Sequence, residues 1–226
     1  MKIVIINGSP RKNGSIGKIL KFVKKHLEEK YSGIDIEYIN LIDFNIKYCI
    51  GCKNCYKTGK CIITDDNVEK IHDLIKICDG LILTSPTYGS NVSGLFKTFY
   101  DRIHMTMEQL LYKKPCMIIT VYENIAGNKA MKIMKDIVMN SGGYIACSLL
   151  LKNEFNKDPL NDKSKNHIKK LCNTFLKKIN RNKVPLFSKF YTKIATSIFL
   201  KPFLFKDKEN NKGLIDSWLE KKIIKL

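Results

Sequence analysis

"GLILTSPTYGS", residues 80–90, is an apolar run followed directly by a turn rich in Pro, Gly and Ser. Such runs are typical of strands buried on both faces, as the central strands of a parallel sheet are. Residues 93–111, "SGLFKTFYDRIHMTMEQLL", then show the apolar spacing of a helix. We therefore predict a central strand, a loop and a helix in this order.

The same unit recurs on both sides of this stretch. The other predicted strands are "KIVIIN" (2–7), "IDIEYINL" (34–41), "PCMIITVY" (115–122) and "GGYIACSLLL" (142–151), and the other predicted helices cover 16–31, 64–79, 128–140 and 162–179. Alternating strands and helices form right-handed crossovers and a parallel sheet covered on both faces. We predict a five-stranded, doubly wound α/β fold with the flavodoxin-like order 2-1-3-4-5, in which ligands bind beyond strands 1 and 3.

Length and composition indicate one globular domain with a tail. Of the 226 residues, 44% are hydrophobic and 27% are charged, as in an average globular protein. We place the domain at 1–182 and a helical extension at 183–226. No apolar run reaches 18 residues and the first residues do not resemble a signal peptide, so we expect a cytoplasmic protein without a membrane span.

The chain is strongly basic. Lys and Arg number 40 against 21 Asp and Glu, a formal net charge of +19. The basic residues are nearly all Lys, spread along the chain, and no motif of a DNA- or RNA-binding protein accompanies them. We therefore expect no nucleic-acid partner, whereas acidic electron carriers and phosphorylated cofactors suit this charge.

The loop after the first strand has the chemistry of a phosphate site. Gly8 permits a tight turn, and Ser9, Arg11, Asn13 and Ser15 supply hydroxyls, an amide and a guanidinium before a helix N-terminus. Backbone N–H groups at a helix start favour anions, and Arg can make a forked contact with phosphate. The loop matches neither G-x-G-x-x-G nor the P-loop, which disfavours dinucleotide and NTPase sites.

The loop after the third strand suits a flat aromatic ligand. Pro86 holds the chain extended, Gly89 lets the backbone approach a ring closely, and Tyr88 can stack on it. Ser93 lies near the next helix start. Because both loops lie at one edge of the predicted sheet, we expect a single ligand to contact both.

Four cysteines lie between these two loops. Cys49, Cys52, Cys55 and Cys61 have the spacing C-x2-C-x2-C-x5-C. Three thiolates two residues apart can surround one [4Fe-4S] cluster, whereas zinc sites more often use two separated C-x2-C pairs. The spacing favours a cluster over zinc, with free thiols or a regulatory disulfide as the alternatives.

The other candidate residues are interpreted as structural. Cys78, Cys116, Cys147 and Cys172 lie in apolar patterns and are predicted to be buried, and His26, His72, His104 and His167 lie on predicted helices without a partner motif. Asp65 and Asp66 are interpreted as helix caps.

Residues 184–205 predict an amphipathic basic helix. Its apolar residues are Phe187, Phe190, Tyr191, Ile194, Ile198 and Phe199, separated by Lys. This stripe is expected to pack on the domain or across a subunit interface rather than on a membrane surface. Trp218 is expected to anchor the last helix.

Together, "NGSPRKNGS" (7–15), "CIGCKNCYKTGKCIITDD" (49–66) and "SPTYGSNVSGLFKTFYDR" (85–102) resemble the NADPH-dependent FMN reductase group of flavodoxin-like proteins, and specifically its iron-sulfur flavoprotein branch. The resemblance covers about residues 1 to 150, in order. The last residues, "LIDSWLEKKIIKL" (214–226), resemble more loosely a tail found in relatives.

The resemblance implies roles for individual residues. The FMN phosphate would bind Ser9, Arg11, Asn13 and Ser15; the isoalloxazine would bind Pro86, Thr87, Tyr88 and Gly89, with Ser93 close by; and Cys49, Cys52, Cys55 and Cys61 would hold the cluster. The group usually has Thr at the position of Ile16. One hydroxyl of the phosphate site is therefore missing, and weaker FMN binding is expected.

The resemblance implies an electron-transfer flavoprotein in which FMN and a [4Fe-4S] cluster relay electrons between a ferredoxin-like or NAD(P)H donor and an acceptor. It also implies a homo-oligomer that brings the cluster of one subunit near the FMN of another. The first alternative is a cluster-free NAD(P)H-dependent FMN or quinone reductase with a small-molecule acceptor. The second is a redox sensor that uses the cysteines as a thiol switch.

Overall fold

The computed structural model describes residues 1–225, and its centre is a parallel β-sheet. The strands are β1 (Lys2–Asn7), β2 (Asp35–Asn40), β3 (Gly80–Tyr88), β4 (Asn91–Val92), β5 (Pro115–Tyr122) and β6 (Tyr144–Lys152). The parallel strands lie in the order β2-β1-β3-β5-β6, and the two-residue β4 pairs antiparallel with the end of β3. Counting the five parallel strands alone, this is the predicted 2-1-3-4-5 order, which is confirmed.

Helices cover both faces of the sheet. They are α1 (Ser15–Lys30), α2 (Asn54–Thr58), α3 (Val68–Ile77), α4 (Gly94–Arg102), α5 (Met105–Glu108), α6 (Gly127–Asn140), α7 (Asp162–Arg181), α8 (Leu186–Ile194), α9 (Lys201–Lys206) and α10 (Lys212–Glu220), with a 3-10 turn at Leu41–Asp43 and a π-helical turn at Ala195–Leu200. Helices α1 and α7 pack on one face, and α3, α4 and α6 pack on the other.

Alternation along the strands divides the core between the two faces. In β1, Ile3 and Ile5 face α1 and α7, whereas Val4 and Ile6 face the opposite helices. This follows from the two-residue period of a strand, and it requires apolar residues at successive positions wherever both faces are covered. The apolar runs that predicted central strands are therefore explained by the two helical layers.

The helix predicted at 93–111 is interrupted. Helix α4 ends at Arg102 and α5 begins at Met105, because His104 adopts a left-handed conformation with φ of +40°. One continuous helix in this segment was a wrong prediction. The break turns His104 and Glu108 towards α3, where both side chains are buried.

The C-terminal extension forms a third apolar core. Leu204, Leu214 and Ile215 surround Trp218, which is completely buried and donates a hydrogen bond from Nε1 to the carbonyl of Met107 at 2.9 Å. The predicted anchoring role of Trp218 is confirmed. The division at residue 182 stays a prediction, and the last residue of the predicted extension, 226, lies outside the described residues.

Much of the apolar stripe predicted within residues 184–205 lies uncovered on the surface. Phe187, Phe190 and Phe199 are 72%, 65% and 68% exposed, and the buried side chains of α8 are those of Ser188 and Thr192. Of the two expected uses of this stripe, packing on its own domain is seen only in part: the half-buried Tyr191 donates from its hydroxyl to Asn140 Oδ1 of α6 at 2.7 Å.

Candidate functional site

The loop after β1 is shaped by two glycines at close backbone contacts. A Cβ on Gly8 would lie 2.4 Å from the carbonyl oxygen of Thr84, and a Cβ on Gly17 would lie 1.7 Å from the carbonyl oxygen of Lys12. Neither position has room for a side chain. The loop is thereby held between the end of β3 and the first turn of α1.

Hydrogen bonds inside this loop fix its conformation. The backbone N–H of Ser9 donates to Asn7 Oδ1 at 3.0 Å, and the N–H of Arg11 donates to Ser9 Oγ at 3.2 Å. The N–H of Gly14 donates to the carbonyl of Arg11 at 3.0 Å. Helix α1 then begins at Ser15, and the first N–H groups of a helix have no acceptor within it.

The loops after β1 and β3 line one cleft, here called the switch-point cleft. Its volume is about 250 Å³. It contains the predicted residues Ser9, Arg11, Asn13, Ser15, Ile16, Pro86, Thr87 and Tyr88. The expectation that both loops meet at one edge of the sheet therefore agrees with the geometry.

One polar atom of the switch-point cleft lacks a partner. Oγ1 of Thr87 is buried and makes no hydrogen bond within residues 1–225. Buried polar atoms without partners are rare in folded proteins, and this one belongs to a residue that lines the cleft. The donor set of the cleft therefore fits a ligand with polar groups along a ring and an anionic end.

Two of the predicted residues are placed differently from the others. Gly89 lies in a two-residue turn between β3 and β4, where both Gly89 and Ser90 have positive φ, and it does not line the cleft. Ser93 is buried, donates to the Gly8 carbonyl at 2.6 Å and accepts from the Phe96 N–H at 3.1 Å. Ser93 therefore joins the two loops internally.

Ile16 lines the cleft but belongs to the core. Its side chain is 2% exposed and packs with β1 and α7. The apolar residue at this position adds packing area to the first turn of α1 and offers only its backbone N–H to a ligand.

The part of the cleft that follows β5 and β6 was not predicted from the sequence. Asn153 donates from Nδ2 to Ser15 Oγ at 3.0 Å, and the guanidinium of Arg11 lies 5.2 Å from the centre of the Phe155 ring. Tyr122 lines the same cleft. Ligands of such sheets bind beyond the carboxyl ends of the strands, which include the ends of β5 and β6 as well as those of β1 and β3. The segments after β5 and β6 could therefore have been predicted to contribute to the cleft.

The four clustered cysteines line a second, smaller cavity, in the segment 49–61 here called the cysteine loop. Its volume is about 30 Å³, and all four thiols are free. Burial, and then the neighbouring Cys61, Cys49 and Cys52 thiols, raise the pKa of Cys55 to about 11. A thiol with a raised pKa is a poor nucleophile at neutral pH, which disfavours Cys55 as the reactive thiol of a redox switch, whereas a metal can displace its proton.

Arg102 holds both ends of the cysteine loop. From α4, its guanidinium donates to the carbonyls of Lys47 and Ile63, each at 3.0 Å, and forms a forked ion pair with Asp66. Arg102 also lines the cysteine cavity, and its buried Nε has no hydrogen-bond partner among residues 1–225. The chain has only three arginines, so the choice of Arg over Lys was a signal for forked contacts that sequence analysis missed.

Asp66 is chiefly the partner of Arg102. Burial acts to raise the pKa of its carboxyl, but hydrogen bonds from Arg102, Lys47 and Val68 outweigh burial and lower that pKa. Its contact with the Val68 N–H, at 3.3 Å, keeps part of the predicted capping role. Asp65 pairs with Lys47 at the surface.

The C-terminal extension supports the cysteine loop from outside. Helix α10 packs on α2, and a Cβ on Gly213 would lie 2.1 Å from the backbone nitrogen of Gly59. Tyr56 of α2 contacts the apolar core of the extension. The tail therefore holds the cysteine loop, which its amphipathic pattern did not predict.

Comparison with known proteins identifies the family of the chain. The model of the NADPH-dependent FMN reductase family matches residues 1–153. The chain belongs to this family. An iron-sulfur flavoprotein of Clostridioides difficile (strain 630) is 49% identical over 225 residues, which cover 99% of this chain and 100% of that protein. The resemblance to the iron-sulfur flavoprotein branch is thereby confirmed, and the chain is an FMN-dependent oxidoreductase.

More distant relatives share parts of the chain. An iron-sulfur flavoprotein of Archaeoglobus fulgidus is 41% identical over 103 residues, which are 46% of this chain and 46% of that protein. Among solved structures, the apo form of an NADH:FMN oxidoreductase matches with a TM-score of 0.60 at 18% identity, covering 83% of this chain and 92% of that one. Flavodoxin 1 from Bacillus cereus matches with a TM-score of 0.56 at 16% identity, covering 78% and 98%. These two structures support the fold.

Proposed function

We propose that this protein is an electron-transfer flavoprotein in which the switch-point cleft holds FMN and the cysteine loop holds a [4Fe-4S] cluster. The observation that carries the proposal is that Cys49, Cys52, Cys55 and Cys61 all line one cavity. When bound, FMN supplies hydride and single-electron chemistry and a cluster supplies single-electron chemistry, so the pair can link two-electron and one-electron partners.

FMN binding is assigned to the two loops of the switch-point cleft. The phosphate would contact the first N–H groups of α1 together with Ser9, Arg11, Asn13 and Ser15. The ring system would lie at Pro86, Thr87 and Tyr88, where the Thr87 hydroxyl has no protein partner among residues 1–225. Ile16 offers no side-chain oxygen, and Ser93 and Gly89 shape the loop rather than contact the ligand.

The cluster is assigned to the cysteine loop because the surroundings of the four thiols suit an anionic group. A cluster bound by four thiolates carries net negative charge, and Arg102 supplies a buried cation beside it, with an Nε–H that has no acceptor within the described chain. In the proposed cytoplasmic setting thiols stay reduced and are free to bind metal.

The proposed donor is an acidic, ferredoxin-like protein. Around the cysteines, Lys53, Lys57 and Lys60 carry positive charge, and Tyr48 and Ile50 are 80% and 70% exposed. An exposed apolar centre with a charged rim is typical of a transient protein interface. The rate of reduction by an acidic ferredoxin should therefore fall steeply as salt is added, because charge steering is screened. A rate that does not change with salt would contradict this choice of donor.

A homo-oligomer is proposed because the apolar side chains of Phe187 and Phe190 on α8 lie uncovered. The switch-point cleft and the cysteine cavity have no lining residue in common, so a second copy of the chain can serve to bring a cluster close to FMN. Replacing both Phe187 and Phe190 by Glu should convert the oligomer into monomers in analytical ultracentrifugation, whereas Lys189→Glu on the same helix should not. A monomeric wild-type protein would contradict the proposal, and binding of that monomer to anionic vesicles would assign the stripe to a membrane.

Cofactor content tests the main proposal. Protein purified anaerobically from an iron-replete host should show flavin absorption, together with about four irons and four sulfides per chain. Iron should be lost in Cys52→Ser while flavin is retained. A flavin spectrum without iron, with quinone-dependent NADPH oxidation that Cys52→Ser leaves unchanged, would instead support the cluster-free reductase. Reversible thiol oxidation without iron or flavin reduction would support the redox sensor.

A further inference from the structure

Two histidines and a glutamate converge between α3 and α5. Nε2 of His72 lies 2.5 Å from Oε2 of Glu108, and Nδ1 of His104 lies 3.2 Å from the same oxygen. The side chains of His72, Glu108 and His104 are 7%, 6% and 5% exposed. One donor atom from each lies within 4.8 Å of the other two. Three potential metal ligands therefore meet in a buried position outside the cysteine loop.

Hydrogen bonds inside this cluster satisfy only one of the two imidazoles. Contact with Glu108 satisfies Nε2 of His72, but the buried Nδ1 of His104 makes no hydrogen bond within residues 1–225, in spite of its proximity to the carboxylate. Native proteins rarely leave a buried polar atom without a partner, and where one is left, a bound ion or water often occupies the adjoining space. This nitrogen therefore points to a ligand at the place where the three donor atoms meet.

The outer contacts hold the three side chains in orientations that metal sites use. Nδ1 of His72 lies 3.4 Å from Oδ1 of Asp73, so a carboxylate faces one ring nitrogen while the other faces Glu108. Oε1 of Glu108 accepts hydrogen bonds from Ser217 at 3.1 Å and from Lys221 at 2.9 Å. Oε2 is left for the histidines. Metal-bound imidazoles and carboxylates are commonly oriented by such second partners.

We propose that Nε2 of His72, Nδ1 of His104 and Oε2 of Glu108 bind one divalent transition-metal ion. Two imidazoles and a carboxylate are a common donor set for zinc, with water at the fourth position, and also for ferrous iron. The three side chains line a cavity of about 260 Å³, which has room for that water. The ion would push His72 slightly away from Glu108, because donor atoms around a tetrahedral zinc lie about 3.3 Å apart.

The three donors of this site lie outside the cysteine loop, although Cys55, Thr58 and Gly59 of that loop line the same cavity. Its donors are nitrogen and oxygen, and they come from α3, from α5 and from His104 at the start of α5. Through Glu108 the ion would also be linked to Ser217 of α10 and to Lys221, next to the helix that packs on α2. A bound ion would therefore stiffen the attachment of the C-terminal extension to the domain.

Zinc content and thermal stability test the site. Full-length protein with its cysteines loaded with iron is treated with EDTA, incubated with zinc, desalted and analysed by mass spectrometry for metals. Wild type should retain one zinc per chain and melt at a higher temperature with zinc than without it. Glu108→Gln and His104→Gln should each weaken zinc binding at least tenfold and abolish the shift in melting temperature. His167→Gln, an exposed histidine on α7, is the matched control and should behave as wild type.

His104→Gln keeps the test decisive if Glu108→Gln fails to fold, because Glu108 then keeps its contacts with His72, Ser217 and Lys221. The proposal is overturned if His104→Gln binds zinc as tightly as wild type. It is also overturned if cobalt, used in place of zinc, shows the charge-transfer absorption of thiolate ligands, because the metal would then lie on cysteines.

Discussion

The switch-point cleft and the cysteine loop lie in one chain but depend on different parts of it. The cleft is built mainly from the segments at the ends of β1, β3, β5 and β6, so most of its residues lie close in sequence to a strand of the sheet. The cysteine loop has little regular structure beyond the short α2. It is held by Arg102 from α4 and by α10 from the far end of the chain. The cleft should therefore be disrupted by local changes and the cysteine loop by remote ones.

The largest effect is expected from Arg102→Met. This change leaves the buried carboxylate of Asp66 without its partner, and breaking one side of a buried ion pair typically costs about 3–5 kcal/mol of stability. It also releases both ends of the cysteine loop. We expect a matching loss in the free energy of unfolding measured by denaturant titration, and loss of iron. Arg102→Lys keeps the charge without the fork and should be intermediate; unchanged stability and iron in Arg102→Met would show that Arg102 does not hold the loop.

Gly17→Ala should affect the switch-point cleft alone. The new Cβ would overlap the carbonyl oxygen of Lys12, so the loop that carries the proposed phosphate contacts must shift. Overpacking of this kind costs about 1–3 kcal/mol, partly offset by the higher helix propensity of Ala. We expect FMN affinity to fall at least tenfold in a flavin fluorescence titration while iron content is unchanged. Gly94→Ala, where a Cβ meets no atom within 4 Å, is the control. Equal losses of FMN and iron would contradict the separation of the two regions.

Gly213→Ala is the converse change. Its Cβ would lie 2.1 Å from the nitrogen of Gly59, so α10 must move away from α2. The expected cost is again about 1–3 kcal/mol, but here iron and sulfide should fall while FMN binding stays at the wild-type level. Measuring both cofactors in Gly17→Ala and Gly213→Ala gives a crossed comparison. If Gly213→Ala keeps its full iron content, support of the cysteine loop by the tail is wrong.

This contrast also explains what the sequence could predict. Strand order and the first-loop residues followed from apolar runs and from the turns after them, because both signals are local. The family resemblance implies that Ser93 lies close to the ligand, and the structure adds that its hydroxyl joins two loops that are distant in sequence. No local pattern distinguishes a serine that binds a ligand from one that binds a neighbouring carbonyl.

Residues that act across long distances in the chain were not predictable in this way. In the sequence alone, Arg102 is one of many basic residues, and nothing distinguishes Gly213 from an ordinary glycine near the start of a helix. His104 was expected inside a continuous helix, and that pattern gave no reason to bring its side chain next to His72. Their partners are set by how α4, α5 and α10 pack, which depends on the whole fold rather than on any window of sequence.

Thr87→Val is the smallest and most selective of these changes. Its Oγ1 has no partner among residues 1–225, so replacing the hydroxyl by a methyl group of similar size should leave the free energy of unfolding within about 0.5 kcal/mol of wild type. If the hydroxyl binds FMN, losing one hydrogen bond of about 1 kcal/mol raises the Kd for FMN roughly fivefold. Ser93→Ala should instead lower the free energy of unfolding, because the Ser93 hydroxyl bonds two backbone groups, and should leave the Kd for FMN nearly unchanged. Calorimetric titration with FMN alongside denaturant unfolding separates these outcomes, and an unchanged Kd in Thr87→Val would move the flavin ring away from Thr87.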